Sequence, residues 1–347
     1  MNRRDLLRTG VAATIAGAAG VLPTALPGAE TRLRKPRRLA AGNTVGLVAP
    51  AGPAADDESV RYSIELLESF GFRVRAGEHV FERNQYLAGE DRDRAADVNA
   101  MFADDGIDAI FTLRGGYGTQ RMLSYLDFDV IASNPKVFIG SSDITGILIA
   151  MHEKAGLVGF HGPSAGGNYS DYALAEFRKV LWEPAARTRI GEAPPIEAGP
   201  GRVERNNRVT RFAGGRGRGR LIGGNLTLVS TLMGTPYEPD FRDRIVFLED
   251  VNEAPYRIDR MLTQLWLAGK LQHAAGIAFG KFTKTEDDGN TFSIEEIIRQ
   301  RCADLGIPVV SGLMIGHIAD KTTVPMGIEA ELDADAGTLE LLEPAVT

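Results

Sequence analysis

The sequence predicts an α/β protein: a doubly wound parallel-sheet domain followed by a smaller mixed α/β domain. Three observations carry this expectation. Short apolar runs alternate with amphipathic stretches from Thr44 onward, as strands joined by crossover helices do. Forty glycines and 17 prolines supply many tight connections. A chain of 347 residues with 44% hydrophobic and 24% charged content is large enough for two medium domains.

The elements follow in order. "TVGLVAPAGP", Thr44 to Pro53, is an apolar strand stopped by Pro and Gly, and "DESVRYSIELLESFGF" is an amphipathic helix closed by Gly71. "RVRAGEHVF" reads as a second strand, "DRDRAADVNAMFADDGI" as a second helix, and "DAIFTLRGG" as a third strand ending in glycines. The strand "KVFIG", the helix "SDITGILIAMHEKAG" and the short strand "LVGFHGP" complete a domain over 40–168. Pro, Gly and Arg crowd together over 169–219, which reads as an interdomain crossing. From 220 to 347 a second domain is expected, with strands "RIVFLEDV" and "GIAFGKF", helices "APYRIDRMLTQLWLAGKL" and "SIEEIIRQRCADLG", and final hairpin-like strands.

The Arg/Gly tract "FAGGRGRGR" is short and internal, so it reads as a loop or hairpin rather than a nucleic-acid tail. Net charge is −7; the first 29 residues carry three arginines against one aspartate, so the remainder stands two units lower, at −9. An acidic body argues against nonspecific nucleic-acid binding. Cys302 is the single cysteine, which excludes an intrachain disulfide and a cysteine metal cluster. Residues 1–29 carry Arg3-Arg4, a mildly apolar run too short to span a membrane, and small residues near Ala25 and Ala29. These are the parts of a twin-arginine signal peptide, so a periplasmic location is expected, or a cytoplasmic one if the signal is inert.

Candidate chemistry centres on "VFIGSSDITG", where a strand turns a sharp corner into a helix. Such a corner can expose a serine hydroxyl beside helix amides that stabilise an oxyanion. The strict G-x-S-x-G pattern is absent, because Ile144 stands where the second glycine belongs, and Ser141 or Ser142 could equally be a helix N-cap. A serine nucleophile needs a base and an acid to orient it. Of five histidines, His161 and His317 each follow an apolar strand, whereas His152 and His273 read as helix surface or ends and His79 as a strand edge. Glu249 and Asp250 directly follow four apolar strand residues and could close a triad or simply end the strand. The loop "LRGGYGTQRML" is not a dinucleotide fingerprint. Its glycines suit a backbone donor to a transition-state oxygen.

Five ordered motifs, "LRGGYGTQRML", "GSSDITGI", "GRLIGGNLTLVSTLMGTPY", "FLEDVNEAPYRIDRML" and "GLMIGH", resemble the serine L,D-carboxypeptidases, which include muramoyltetrapeptide carboxypeptidase and the microcin C immunity proteins. The resemblance covers Asn43 to the carboxyl terminus and implies a flavodoxin- or glutamine-amidotransferase-like first domain. By it, Ser142 is the nucleophile, Glu249 the orienting acid and His317 the base. The amides of Gly116 and Asp143 form the oxyanion hole. Gly115, Tyr117, His161 and Asn225 contact substrate, with His161 lining the cleft. It further implies no cofactor, no metal, a small peptidoglycan peptide as substrate and a homodimer. Ser141 departs from a position where relatives often carry an aromatic or histidine. Three activities are carried forward: release of the terminal D-alanine from murein tetrapeptide, cleavage of aminoacyl-nucleotide analogues with Trp182 or Trp266 as a base-stacking surface, and noncatalytic binding of wall peptides. Trp266, on an amphipathic helix, is expected in the core.

Overall fold

Parallel central strands are buried on both faces and therefore read as unbroken apolar runs, and this is what Ala109–Thr112 and Val137–Gly140 do, with every residue buried. The computed structural model describes residues 32–167, 169–196, 199–285 and 289–347; the signal-peptide expectation over 1–29 lies outside them.

The strands are β1 (Thr44–Val48), β2 (Arg73–Ala76), β3 (Ala109–Thr112), β4 (Val137–Gly140), β5 (Phe160–His161), β6 (Thr188–Ile190), β7 (Thr210–Ala213), β8 (Arg216–Asn225), β9 (Arg244–Val251), β10 (Gly276–Thr283), β11 (Val309–Ser311), β12 (Val324–Pro325), β13 (Glu329–Asp333) and β14 (Thr338–Leu341). The helices are α1 (Asp57–Ser69), α2 (Asp91–Ala103), α3 (Thr119–Met122), α4 (Phe128–Ser133), α5 (Thr145–Ala155), α6 (Asp171–Leu181), α7 (Leu226–Thr231), α8 (Pro255–Leu267) and α9 (Ile294–Cys302).

The first sheet has the order β12-β5-β4-β3-β1-β2 and is parallel except for β12. Strand order reverses between β1 and β3, and in such sheets ligands bind beyond the carboxyl ends of the strands near that reversal. The second sheet has the order β6-β14-β13-β8-β9-β10-β11-β7, with β8 to β11 parallel and the flanking strands antiparallel. The α/β class holds, and residues 32–347, with both sheets, cluster as one compact unit. The segment read as a crossing supplies α6, β6 and β7, and β12 returns from the carboxyl-terminal section to complete the first sheet. The second sheet is thereby the larger in strands, eight against six. The basic stretch before Thr44 is also docked: Lys35 pairs with Glu343 at 2.7 Å, and the Arg38 N–H donates to the Thr347 carbonyl at 3.0 Å.

Two side chains fall elsewhere than the sequence suggests. Trp266 is 41% exposed, because the apolar face of α8 is satisfied by Ile258, Leu262 and Leu265. His152 is buried inside α5 rather than on its surface. Arg244 donates to its Nε2 at 2.9 Å, and its Nδ1 lies 3.4 Å from the Leu157 carbonyl. Burial, reinforced by Arg244, holds its pKa down to about 4 from 6.5. The unfolded chain then binds a proton that the folded chain refuses, so stability falls as pH drops from about 6.5 to about 4. The loss attributable to His152 is on the order of 3 kcal/mol, and urea denaturation at a series of pH values should show His152→Gln flattening the slope in that window. An unchanged slope would contradict the assignment.

Candidate active site

β4 delivers the chain to Ser141 and Ser142, and Ser142 has φ of 64°. This left-handed conformation is uncommon for a residue with a side chain and marks a strained corner. A 3-10 turn over Ser142–Ile144 follows and runs into α5. Ser141 makes no side-chain capping bond, so neither serine behaves as the N-cap that the sequence left open. The corner needs small neighbours. A Cβ on Gly115 would come within 2.7 Å of the Ser142 Cβ, and one on Gly140 would collide with Thr112 Oγ1.

The residues after the corner tie three segments together. Asp143 is buried, and its carboxylate accepts the Thr119 N–H at 2.8 Å while its carbonyl accepts the Thr119 hydroxyl at 2.5 Å. The glycine loop over 115–118 is thus pinned at its exit. Burial pushes the Asp143 carboxyl above its ordinary value, with Thr119 pulling the other way. Within the loop Gly116 has φ of 130°, and its N–H has no acceptor among the described residues. Tyr117 is 54% exposed and meets Tyr86 edge-on, with ring centroids 5.6 Å apart.

Two residues further on, Thr145 Oγ1 accepts the Asn225 N–H at 3.0 Å, which joins α5 to the end of β8. In register, Asn225 stands beside Glu249 on β9. Successive strand residues point to opposite faces, so Glu249 and Asp250 divide the work. Asp250 accepts from Asn225 Nδ2 at 2.8 Å and from both the N–H and hydroxyl of Thr227 at 2.9 Å. Asn225, expected at the substrate, is buried; its amide nitrogen serves Asp250 and its oxygen accepts the Leu228 N–H at 3.3 Å.

Glu249 faces the histidines. Its Oε2 lies 2.7 Å from His317 Nδ1, and the carboxylate is fully buried while the His317 side chain is 24% exposed. With Nδ1–H donating to the carboxylate, Nε2 is left as a proton acceptor. Gly316, at φ of 128°, lets the backbone pass where a Cβ would lie 3.0 Å from Glu249 Oε2. His161 lies beneath Glu249 rather than on the cleft wall, because β5 is an inner strand between β4 and β12. Its Nε2 is 3.6 Å from Glu249 Oε1, and neither atom has a hydrogen-bond partner. Burial pushes the Glu249 carboxyl up, but His161 and His317 outweigh it and hold it down to about 2. Since 3.6 Å is too long for a hydrogen bond, the closer His317 is the firmer anchor. No hydrogen bond joins Ser142 Oγ to His317 among the described residues. What brings Ser142 to the same seam is the register Gly140↔His161 together with the His161–Glu249 contact.

Known proteins match over the same segments. Residues 45–162 match the LD-carboxypeptidase N-terminal domain and residues 218–332 its C-terminal domain. The chain belongs to the LD-carboxypeptidase family. This LD-carboxypeptidase is 36% identical over 311 residues to a probable murein peptide carboxypeptidase of Bacillus subtilis, covering 86% of this chain and 91% of the relative. It is 32% identical over 297 residues to the murein tetrapeptide carboxypeptidase of Pseudomonas aeruginosa, covering 84% and 93%. Among solved structures, muramoyltetrapeptide carboxypeptidase from Oxalobacter formigenes aligns with a TM-score of 0.72 at 32% identity, over 86% of this chain and 98% of that one. The ligand-free wild-type microcin C7 self-immunity protein MccF aligns with a TM-score of 0.82 at 25% identity, over 90% and 100%. As a member of the family the LD-carboxypeptidase is a serine-type hydrolase.

Sequence reasoning missed three supporting residues. Thr119 and Thr145 stand inside the quoted motifs, but their bonds are long-range, so the sequence does not show what they hold. Lys321 lies four residues past His317, with its ammonium held below the usual range by burial while Glu249 pulls the other way.

Proposed function

We propose that this enzyme releases the terminal D-alanine from murein tetrapeptide through a Ser142–His317–Glu249 acyl-enzyme mechanism. The observation that carries the reading is the buried Glu249 carboxylate 2.7 Å from His317 Nδ1, held at the seam that also carries the strained Ser142 corner. Ser142 Oγ attacks the carbonyl carbon before D-alanine as its proton passes to His317 Nε2. The same proton then goes to the departing amine, the C–N bond breaks, and the tripeptide stays esterified to Ser142. Water repeats the sequence, giving its proton to His317 and its hydroxyl to the acyl carbon, and the returning proton frees Ser142. The amides of Gly116 and Asp143 receive the negative oxygen. Incubation of pure enzyme with tetrapeptide, followed by chromatography of released D-alanine, tests this; tetrapeptide left intact would reject it.

The likeness to MccF supports a second reading, cleavage of acyl-sulfamoyl or acyl-phosphoramidate adenylates. Against it, Trp182 is committed to packing on Phe72, with ring centroids 5.2 Å apart, so it offers no free face for a base. Competition between tetrapeptide and an aminoacyl-nucleotide analogue separates the two.

The location follows from Arg3-Arg4 and the short apolar run after them: the enzyme is exported by the twin-arginine route and trims wall peptides outside the cytoplasm. Cell fractionation with amino-terminal sequencing should find a shortened periplasmic form that disappears when Arg3 and Arg4 are both replaced by Lys. Full-length cytoplasmic protein in the unmutated strain would sink the idea.

A further inference from the structure

A cavity of about 780 Å³ opens beyond the carboxyl ends of β10 and β11 and beside the first turns of α8 and α9. Its walls include Arg205, Arg208, Lys281, Phe282, Phe292 and Ser293. The location obeys the rule that open parallel sheets bind ligands past their strand ends, and the volume is typical of small-molecule sites.

Charge sets this cavity apart. Arg211, Arg216 and Arg218 from the same arginine-rich tract pair with Asp335, Asp333 and Glu329. Arg205, Arg208 and Lys281 form no ion pair among the described residues. The Arg208 Nε donates to the Glu204 carbonyl at 2.7 Å, and the Lys281 Nζ donates to the Asn206 carbonyl at 3.3 Å. Of the nearby acids, Glu204 is turned toward the Asn206 and Asn207 N–H groups, at 2.7 and 2.8 Å, and Glu295 stands at the start of α9. Three cations therefore line the cavity without an ion pair among the described residues, with Glu204 acting on Lys281 through space and Glu295 sharing the wall. Lys281 is half-buried, and desolvation lowers its pKa while Glu204 pulls the other way, the direction in which an incoming anion would also act.

The Lys281 backbone also packs on the segment that carries the catalytic base. The Lys281 N–H donates to the Ile315 carbonyl at 2.8 Å. The Lys281 carbonyl lies so near Gly316 that a Cβ there would be 3.0 Å away. The strand that carries Lys281 is thus packed on the residue before His317.

We infer that this cavity is a subsite for carboxylates of the peptide on the acyl side of the cut, with Lys281, Arg205 and Arg208 as its specificity determinants. The inference rests on the carboxypeptidase reading above. A departing D-alanine is too small to need such a volume. The retained peptide carries carboxylates on its D-glutamyl and diamino-acid residues, and guanidinium and ammonium groups recognise these by charge-assisted hydrogen bonds.

The test compares tetrapeptide bearing free D-glutamyl and diamino-acid carboxylates with the same peptide amidated at both, using wild type, Lys281→Met and the exposed Arg205→Gln. Lys281→Met should raise KM for the acidic peptide about tenfold with kcat within about twofold, and the amidated peptide should be nearly indifferent to the change. Equal KM rises on both peptides, or none on either, would overturn the subsite. Calorimetric binding of the tripeptide to the Ser142→Ala protein, with and without Lys281→Met, reads the cavity independently of turnover. Absence of D-alanine release with tripeptide binding still dependent on Lys281 would reject the activity and keep the subsite. Normal release with binding indifferent to Lys281 would do the reverse. Adenosine monophosphate binding more tightly than the tripeptide, with dependence on Lys281, would assign the cavity to a phosphate and overturn the inference.

Discussion

Replacing Ser142 with alanine is expected to lower kcat for D-alanine release by about 10⁴-fold to 10⁶-fold, the range seen when a nucleophile is removed from a triad. Ser141→Ala should stay within about tenfold of wild type, since its side chain caps nothing. The corner geometry adds a second signature. Ser142 sits at φ of 64°, a conformation that glycine adopts without steric cost, so Ser142→Gly should be inactive yet more stable by about 1 kcal/mol. Activity assays and urea denaturation on the three variants decide the matter. Inactivation by Ser141→Ala with Ser142→Ala still active would transfer the nucleophile, and a destabilised glycine variant would contradict the strain.

The second large effect is expected at Arg94, a buried arginine in α2. Its guanidinium donates to the Pro50 carbonyl after β1 and, at 3.2 Å, to the Gly118 carbonyl in the glycine loop, and it pairs with Asp91. Arg94→Leu removes all of these at once and leaves the Pro50 carbonyl without its donor, while the Gly118 carbonyl keeps the Arg121 N–H at 3.2 Å. A cost of about 3 kcal/mol is expected, toward the low end for breaking a buried charged pair, because Arg121 still holds Asp91 at 3.0 Å. Because Gly118 loses one of its two donors, the Gly116 amide should also lose part of its aim. The folded variant should therefore show a lower kcat with little change in KM. Denaturation curves matching wild type within about 0.5 kcal/mol would refute the structural role.

Periodicity made most of the fold legible. The strand–helix alternation through 40–168 appears as read, because central parallel strands advertise themselves as apolar runs. Within 169–219 the strands were not legible: β6 is three residues long and β7 is an edge strand with two exposed residues, too little pattern to distinguish from loop, whereas α6 has an amphipathic pattern and a Ser170 cap and went unread. His317 was expected at the end of a long strand. β11 stops instead at Ser311, since Gly312, at φ of 104°, turns the chain away. At the site, the family resemblance names Glu249 and His317 together, and the two side chains lie 2.7 Å apart. His161 could not be placed, because nothing local reveals that a two-residue strand from beyond residue 320 will cover its outer edge. Arg94 was equally opaque: an arginine in a charged helix reads as solvent-facing until its buried acceptors are seen.

The covering strand has a consequence for how the protein is made. β12 pairs with β5 at Val324↔His161, and the Thr347 N–H donates to the Pro36 carbonyl at 2.9 Å. The segments at Pro36 and β5 therefore wait for partners that leave the ribosome far later. Until residue 325 has been delivered, β5 is an open strand edge, able to pair with another nascent chain. His161 beside Glu249 lacks one of its walls for the same interval. Folding is completed only late in synthesis, so a shortened polypeptide ending before β12 should be aggregation-prone rather than a smaller working enzyme.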